Sequence, residues 1–173
     1  MTKHVGVFGI GNVLLGDDAI GPSVARWLEA RFEFPPDVVV EDVGTPGLEM
    51  PTHLAGHRTI IFIDAVAGTE TPGTIKRYDR EAILRHAPGI RLSPHDPALK
   101  ETLLMLELTD QGPSEVHLVG VVPGNTNMGV GLTDPVRQSI EPAARAVLDE
   151  LARMGVEPIA REGATEANLW WDA

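Results

Sequence analysis

Residues 4–21 read HVGVFGIGNVLLGDDAIG, and this stretch predicts a strand, a glycine-containing turn and the start of a helix. Its first residues carry no acidic or basic side chain apart from His4 and include two valines, a phenylalanine and an isoleucine, as expected of a buried strand. The turn begins like a nucleotide-binding loop but places Asp17 and Asp18 where a phosphate would be expected. The stretch therefore indicates a strand followed by a helix, with acid at the turn between them.

The same alternation of short apolar runs and longer helical patterns continues along the chain, which is typical of an α/β domain with a mostly parallel sheet. The predicted strands lie at about 4–9, 38–42, 59–64, 73–78 and 116–122. The clearest predicted helices lie at about 19–32, 97–108 and 135–154. We expect a three-layer α/β sandwich, in which a mostly parallel, five-stranded twisted sheet has helices on both faces.

Two of these helices carry start signals. Asp96 is a plausible N-cap for the helix over 97–108, with Pro97 at its first position. Thr133 and Asp134 precede the long helix over 135–154, and Pro142 predicts a kink within it.

Composition limits both the size and the partners of the protein. With 173 residues and 43% hydrophobic content, the chain can bury one core, so we expect one domain over 1–160 and an acidic tail over 161–173. Trp170 and Trp171 in that tail either pack back onto the domain or contact a partner. The net charge of −11 argues against nucleic acid and anionic membranes as partners. The start of the chain shows no signal-peptide pattern, so a cytoplasmic protein is expected.

The acidic turn does not fit a dinucleotide site. Such a site needs a third glycine for close packing around a pyrophosphate, but Leu14 stands at that position. A helix that begins beside Asp17 and Asp18 would also repel phosphate. One of the two carboxylates can cap the helix, and one cap needs only one of them.

A second carboxylate and a histidine are predicted at the same sheet edge. Asp64 ends the apolar run TIIFID, and buried acid at such a position favours a crevice over a dry core. His95 lies in SPHDP just before a helix, where the helix dipole would keep its imidazole neutral and able to bind a metal. Two carboxylates and one imidazole suit a divalent first-row metal, and spacing alone leaves zinc, nickel, manganese and iron open.

The motifs in combination are similar to those of the hydrogenase maturation endopeptidases. They occur in the family's order over nearly the whole chain as GIGNVLLGDDAIG, EDVGTPGLEM, IFIDAV, LSPHD, HLVGVVP and GLTDPV. The resemblance implies a cytoplasmic protease that removes a short C-terminal peptide from the precursor of the nickel-iron hydrogenase large subunit. It implies nickel carried by that substrate, no tightly bound cofactor of the protease's own, and a monomer.

The resemblance also assigns residues. The family's nickel-contacting and catalytic positions fall on Asp18, Asp64 and His95, while Asp17 keeps the capping role. The family often has glutamate where Asp18 stands, so this side chain is one methylene shorter. The segment Gly44, Thr45, Pro46 and Gly47 matches a loop that would let an extended substrate tail approach the backbone, or it is simply a turn that starts a helix. Asp42 would hydrogen-bond the tail or cap that turn.

The chain has no cysteine, no recognisable serine nucleophile motif and no paired-histidine zinc motif. The hypothesis is therefore that the substrate's nickel is a recognition key, completed by Asp18, Asp64 and His95. Two other classes stay open: a phosphoacceptor receiver-like module, which would need a lysine missing from VVPGNTNMG, and a metal-dependent small-molecule hydrolase.

Overall fold

A computed structural model describes residues 5–85, 96–108, 112–164 and 166–172. Its strands are β1 (Val5–Ile10), β2 (Phe32–Glu33), β3 (Val38–Gly44), β4 (Thr59–Ala65), β5 (Ile75–Asp79), β6 (Glu115–Val121) and β7 (Ile159–Ala160). Five of them form a sheet in the order β3-β1-β4-β6-β5, and β2 pairs with β7 separately. The strands β3, β1, β4 and β6 are parallel, and β5 is antiparallel to β6. The predicted, mostly parallel five-stranded sheet is confirmed.

Helices connect these strands. They are α1 (Ile20–Arg31), α2 (Met50–Leu54), α3 (Arg80–Arg85), α4 (Asp96–Leu108), α5 (Asp134–Gln138) and α6 (Ile140–Arg153). Two short 3-10 turns, Gly16–Ala19 and Gly47–Glu49, precede α1 and α2. Within the described ranges, every helix is too short or too polar to span a bilayer.

Two hydrophobic cores lie on opposite faces of the sheet, because successive residues of a strand point to opposite sides. Val7 and Ile61 share one core with α1 and α6. Phe8 and Phe62 share the other core with side chains from α2, α3 and α4. The molecule thus has three layers, with helices on both faces as predicted.

Close contact between α1 and the sheet depends on two glycines. A Cβ on Gly9 would overlap the carbonyl oxygen of Gly21, and a Cβ on Gly21 would overlap the carbonyl oxygens of Ile10 and Ile63. The first turn of α1 is therefore seated against both β1 and β4. Gly21 thus provides the close helix–strand packing that a third glycine provides in dinucleotide-binding loops.

The helix predicted over 135–154 is two helices, α5 and α6, separated at Ser139. The proline ring of Pro142 would clash with the carbonyl of Gln138, four residues earlier, and α5 ends at Gln138. The proline thus interrupts the helix upstream of itself. The predicted kink is a break three residues before Pro142.

The last residues lie against the domain. Trp171 is only 8% exposed, whereas Trp170 is 63% exposed. Asp172 forms an ion pair with Arg137, with 3.5 Å between Oδ2 and Nη1. Trp171 therefore packs back onto the domain, which is one of the two possibilities that the sequence left open.

Candidate functional site

The carboxyl ends of β1 and β4 lie side by side at the centre of the sheet. From β1 the chain leaves through α1 to the outer strand β3, while from β4 it continues toward β6 and β5 on the other side. Loops diverge at such a point and leave a crevice, which is where open α/β sheets bind their ligands. Of the two predicted acids, Asp64 lies at the end of β4 and Asp18 lies in the turn between β1 and α1.

Asp18 lies in the 3-10 turn that joins β1 to α1, and its side chain is 1% exposed. Its Oδ2 accepts a hydrogen bond from the backbone N–H of Asn12 at 2.8 Å, which closes the loop back toward β1. The turn also contacts β4. Asp18 is therefore held at the junction of the two central strands.

Asp64 is the penultimate residue of β4 and is 3% exposed. It pairs in register with Gly120 of β6, while the preceding Ile63 pairs with Gly9 of β1. Since Gly21 packs on Ile63, the start of α1 brings the Asp18 turn to the end of the strand that carries Asp64. The fold thus brings two nearly inaccessible carboxylates to the same edge of the sheet.

Asp17 does not cap a helix, so that prediction is wrong. Neither the 3-10 turn nor α1 has a side-chain cap. Instead, Oδ2 of Asp17 accepts from Gly124 N at 2.8 Å, Asn125 N at 2.9 Å and Thr133 Oγ1 at 2.8 Å, and Oδ1 accepts from Thr133 N at 2.6 Å. The carboxylate is fully buried and ties the loop after β6 to the first loop.

Backbone hydrogen bonds extend this connection along the loop. Gly16 N donates to Gly129 O and Gly129 N donates to Leu14 O, both at 2.8 Å, while Asp17 N donates to Asn125 O at 2.8 Å. Sequence reasoning missed this contact. The available signals were the second aspartate and a glycine- and asparagine-rich segment after the last parallel strand, both of which favour side-chain-supported loops.

The glycine-containing loop after β3 reaches the same edge. Gly44 O accepts from Gly11 N at 2.9 Å, which joins the loop to the end of β1. Gly44 and Gly47 have φ of 58° and 49°, a region that other residues rarely adopt. Thr45 and Gly47 are exposed.

Asp42 caps this turn: its Oδ1 accepts from Gly44 N at 3.0 Å. Its Oδ2 accepts from Arg26 Nε at 3.3 Å, an ion pair to α1. Of the two roles predicted for Asp42, the structure shows the capping of this turn.

A shallow, largely apolar groove continues from this loop to α4. It is lined by Gly47, Leu48, Pro51, Glu101, Thr102 and Met105. Leu48 is fully exposed and Met105 is half-exposed. The groove begins at the glycine loop and runs along α4.

His95, the third expected ligand, lies outside the described residues, as do His4 and His86. Of the other histidines, His53 and His57 pack edge-on against Phe8. Within the ranges that the structure describes, no three histidine or acidic side chains are close enough to hold a metal ion. The described part of the site is thus the carboxylate pair of Asp18 and Asp64.

Comparisons with known proteins agree with one another. A family model described as hydrogenase maturation protease matches residues 22–150. The hydrogenase 2 maturation protease of Escherichia coli is 37% identical over 160 residues, covering 90% of this chain and 95% of that protein. The hydrogenase expression/formation protein HoxM of Azotobacter vinelandii is 34% identical over 166 residues, covering 95% and 80%.

A solved structure has the same fold. The hydrogenase maturating endopeptidase HybD of E. coli superposes with a TM-score of 0.83 at 36% identity, covering 91% of this chain and 98% of that one. In each of these pairwise comparisons the similarity extends over at least nine tenths of this chain.

Proposed function

Since this chain belongs to the hydrogenase maturation protease family, we propose that it removes a short C-terminal peptide from the precursor of a nickel-iron hydrogenase large subunit. The precursor brings the nickel, and cleavage follows its insertion. The observation that carries the proposal is the burial of two carboxylates, Asp18 and Asp64, at the carboxyl edge of the central strands of the sheet.

The donor set fits a metal that arrives with the substrate. Carboxylates are harder ligands than thiolates, and two of them leave positions for the precursor's own ligands. Each of the two is almost inaccessible to water, so a cation bound between them would be screened very little. His95 is proposed as the third ligand. Such a site discriminates a loaded precursor from an empty one by charge.

The reaction is hydrolysis of one peptide bond. The oxygen of a water molecule bonds to the carbonyl carbon, the carbon–nitrogen bond breaks, and both of the water's protons end on the leaving nitrogen, which gives a carboxylate and an ammonium group. A carboxylate at the crevice can accept the first proton as general base. Family membership also removes the receiver-like module and the small-molecule hydrolase from consideration.

We propose that the loop from Asp42 to Gly47 receives the precursor's tail. Gly44 and Gly47 expose backbone without side chains, and the apolar groove beyond Gly47 offers room for apolar residues of an extended peptide. Asp42 supports this loop through its bonds to Gly44 and Arg26. Its role in the proposal is therefore to hold Gly44 and Thr45 in place.

The test is mass spectrometry of a candidate large-subunit precursor, nickel-loaded or nickel-free, after incubation with the protein. The wild-type protein should shorten only the loaded form. Asp18→Asn, Asp64→Asn and His95→Ala should each slow cleavage by at least about 100-fold. Mutation of a residue that only hydrogen-bonds a metal ligand already lowers activity by about 10- to 100-fold, and loss of a ligand itself should cost at least as much.

The asparagine variants keep the shape of the buried side chains, so circular dichroism should remain that of the wild type. Asp37→Ala, an exposed aspartate before β3 at the opposite sheet edge, is the matched control and should cleave normally. Full activity of the Asp18→Asn/Asp64→Asn double variant, or equal cleavage of both precursor forms, would contradict the proposal.

A further inference from the structure

The loop after β6 is uncharged and exposed. Residues 124–131 read GNTNMGVG, with no charged side chain in a chain whose net charge is −11. Residues 124–130 are exposed. Exposed apolar side chains that cluster on such an uncharged loop indicate contact with another surface.

Three exposed apolar side chains cluster on this loop and its neighbour. Leu15 and Gly129 form an isolated parallel bridge between the two segments. Leu14 precedes that bridge by one residue, and Met128 and Val130 flank its other side. Their exposed fractions are 55%, 90% and 52%, respectively. These three residues, called here the apolar rim, lie within one residue of a single point.

The backbone beneath the rim is fixed. Gly129 is hydrogen-bonded to both Leu14 and Gly16, and the buried carboxylate of Asp17 holds Gly124 and Thr133 at either end of the loop. A rim presented on a pre-ordered loop loses little conformational freedom when it binds. The exposed side chains of Leu14, Met128 and Val130 are therefore held in place by the hydrogen bonds of the backbone that carries them.

We infer that the apolar rim docks the folded large-subunit precursor, through an uncharged, apolar surface next to the precursor's C-terminal extension. This inference rests on the proposed function. The rim adjoins the site along the chain, because Leu14 and Asp18 both lie between the end of β1 and the start of α1. A folded protein that delivers a peptide bond to Asp18 must cover that loop. Because the rim carries no charge, the surface that it fits is apolar and not basic.

The test compares charged substitutions in two exposed apolar places. Leu14→Asp and Met128→Asp place a charge on the rim, whereas Ile159→Asp places one on β7, where Ile159 is 70% exposed. Strand β7 pairs with β2, which follows the far end of α1 and so lies away from the site. All three variants replace an exposed apolar side chain with aspartate, and they differ only in where that side chain lies.

Cleavage of the loaded precursor is measured for KM and kcat, and binding of the precursor by biolayer interferometry. The rim variants should raise KM and Kd by at least tenfold, as loss of a central apolar contact does, and leave kcat within about twofold. Ile159→Asp should match the wild type. Thermal unfolding should be unchanged in all three, and Met128→Ala replaces any variant that does not fold.

The outcomes separate the two proposals. If the wild type cleaves and the rim variants bind and cleave equally well, the docking inference is wrong and the proposed function stands. If the wild type self-associates in gel filtration and only rim substitutions abolish this, the rim is a contact between copies, which also overturns the inference. If the wild type neither binds nor cleaves any loaded precursor, the proposed function fails and the docking inference fails with it.

Discussion

Replacing Asp17 with alanine should destabilise this protein by roughly 2–4 kcal/mol, although Asp17 lies beside the proposed nickel ligand and has no assigned part in the reaction. Its carboxylate accepts four hydrogen bonds from Gly124, Asn125 and Thr133. A hydrogen bond contributes about 1 kcal/mol net, and more when one partner is charged. Gly124 and Asn125 are exposed, so their N–H groups regain water in the variant, which limits the total.

For a chain of this length, 1 kcal/mol corresponds to about 2–4 °C in the unfolding midpoint, so Tm should fall by about 4–16 °C. Urea titration of the wild type, Asp17→Ala and Asp17→Asn measures the free energy directly. Asparagine retains one acceptor oxygen and should give an intermediate loss. Asp37→Ala, at an exposed aspartate, should stay within about 0.5 kcal/mol of the wild type.

Hydrogen exchange distinguishes local loosening from a global effect. The amide of Gly129 donates to Leu14 across the two loops, and it should exchange faster in Asp17→Ala because the loop has lost its buried anchor. An Asp17→Ala variant as stable as the control, with normal protection at Gly129, would refute the reasoning.

Three further substitutions test the packing. Gly21→Ala should destabilise the protein by about 3 kcal/mol or more, because the Cβ of the new alanine would overlap the carbonyl oxygens of Ile10 and Ile63. An unchanged urea midpoint would show that α1 does not pack this closely against β1 and β4. Trp171→Ala should lower the free energy of unfolding by about 2 kcal/mol, which is less than for a tryptophan in the core because chain ends are less firmly held. Trp170 is mostly exposed, so Trp170→Ala should lower it by less than about 0.5 kcal/mol. Equal thermal shifts for the two tryptophan variants would contradict the packing of Trp171.

Much of the fold could be predicted from the sequence because it depends on local, periodic signals. The five predicted strands of the main sheet lie within two residues of the observed ones. The run TIIFID predicts a buried strand that ends in acid, and Asp64 is found there at 3% exposure. The small pair β2 and β7 was missed, since two-residue strands are too short to show alternation.

The break at Ser139 illustrates an intermediate case. The sequence predicts a disturbance near Pro142, but its location depends on the carbonyl four residues earlier. In the structure, α5 ends at that residue, Gln138.

By itself, the sequence determined the alternating α/β order, the acids at the ends of strands and the family resemblance, because each is contained in consecutive residues or in a motif. Only the tertiary structure decided how Asp17 and Asp18 differ. Their side chains are identical and adjacent, yet Asp18 turns back to Asn12 while Asp17 meets Gly124, 107 positions away. Local sequence cannot distinguish them, because the donors that select each carboxylate come together only when the sheet brings the two loops side by side.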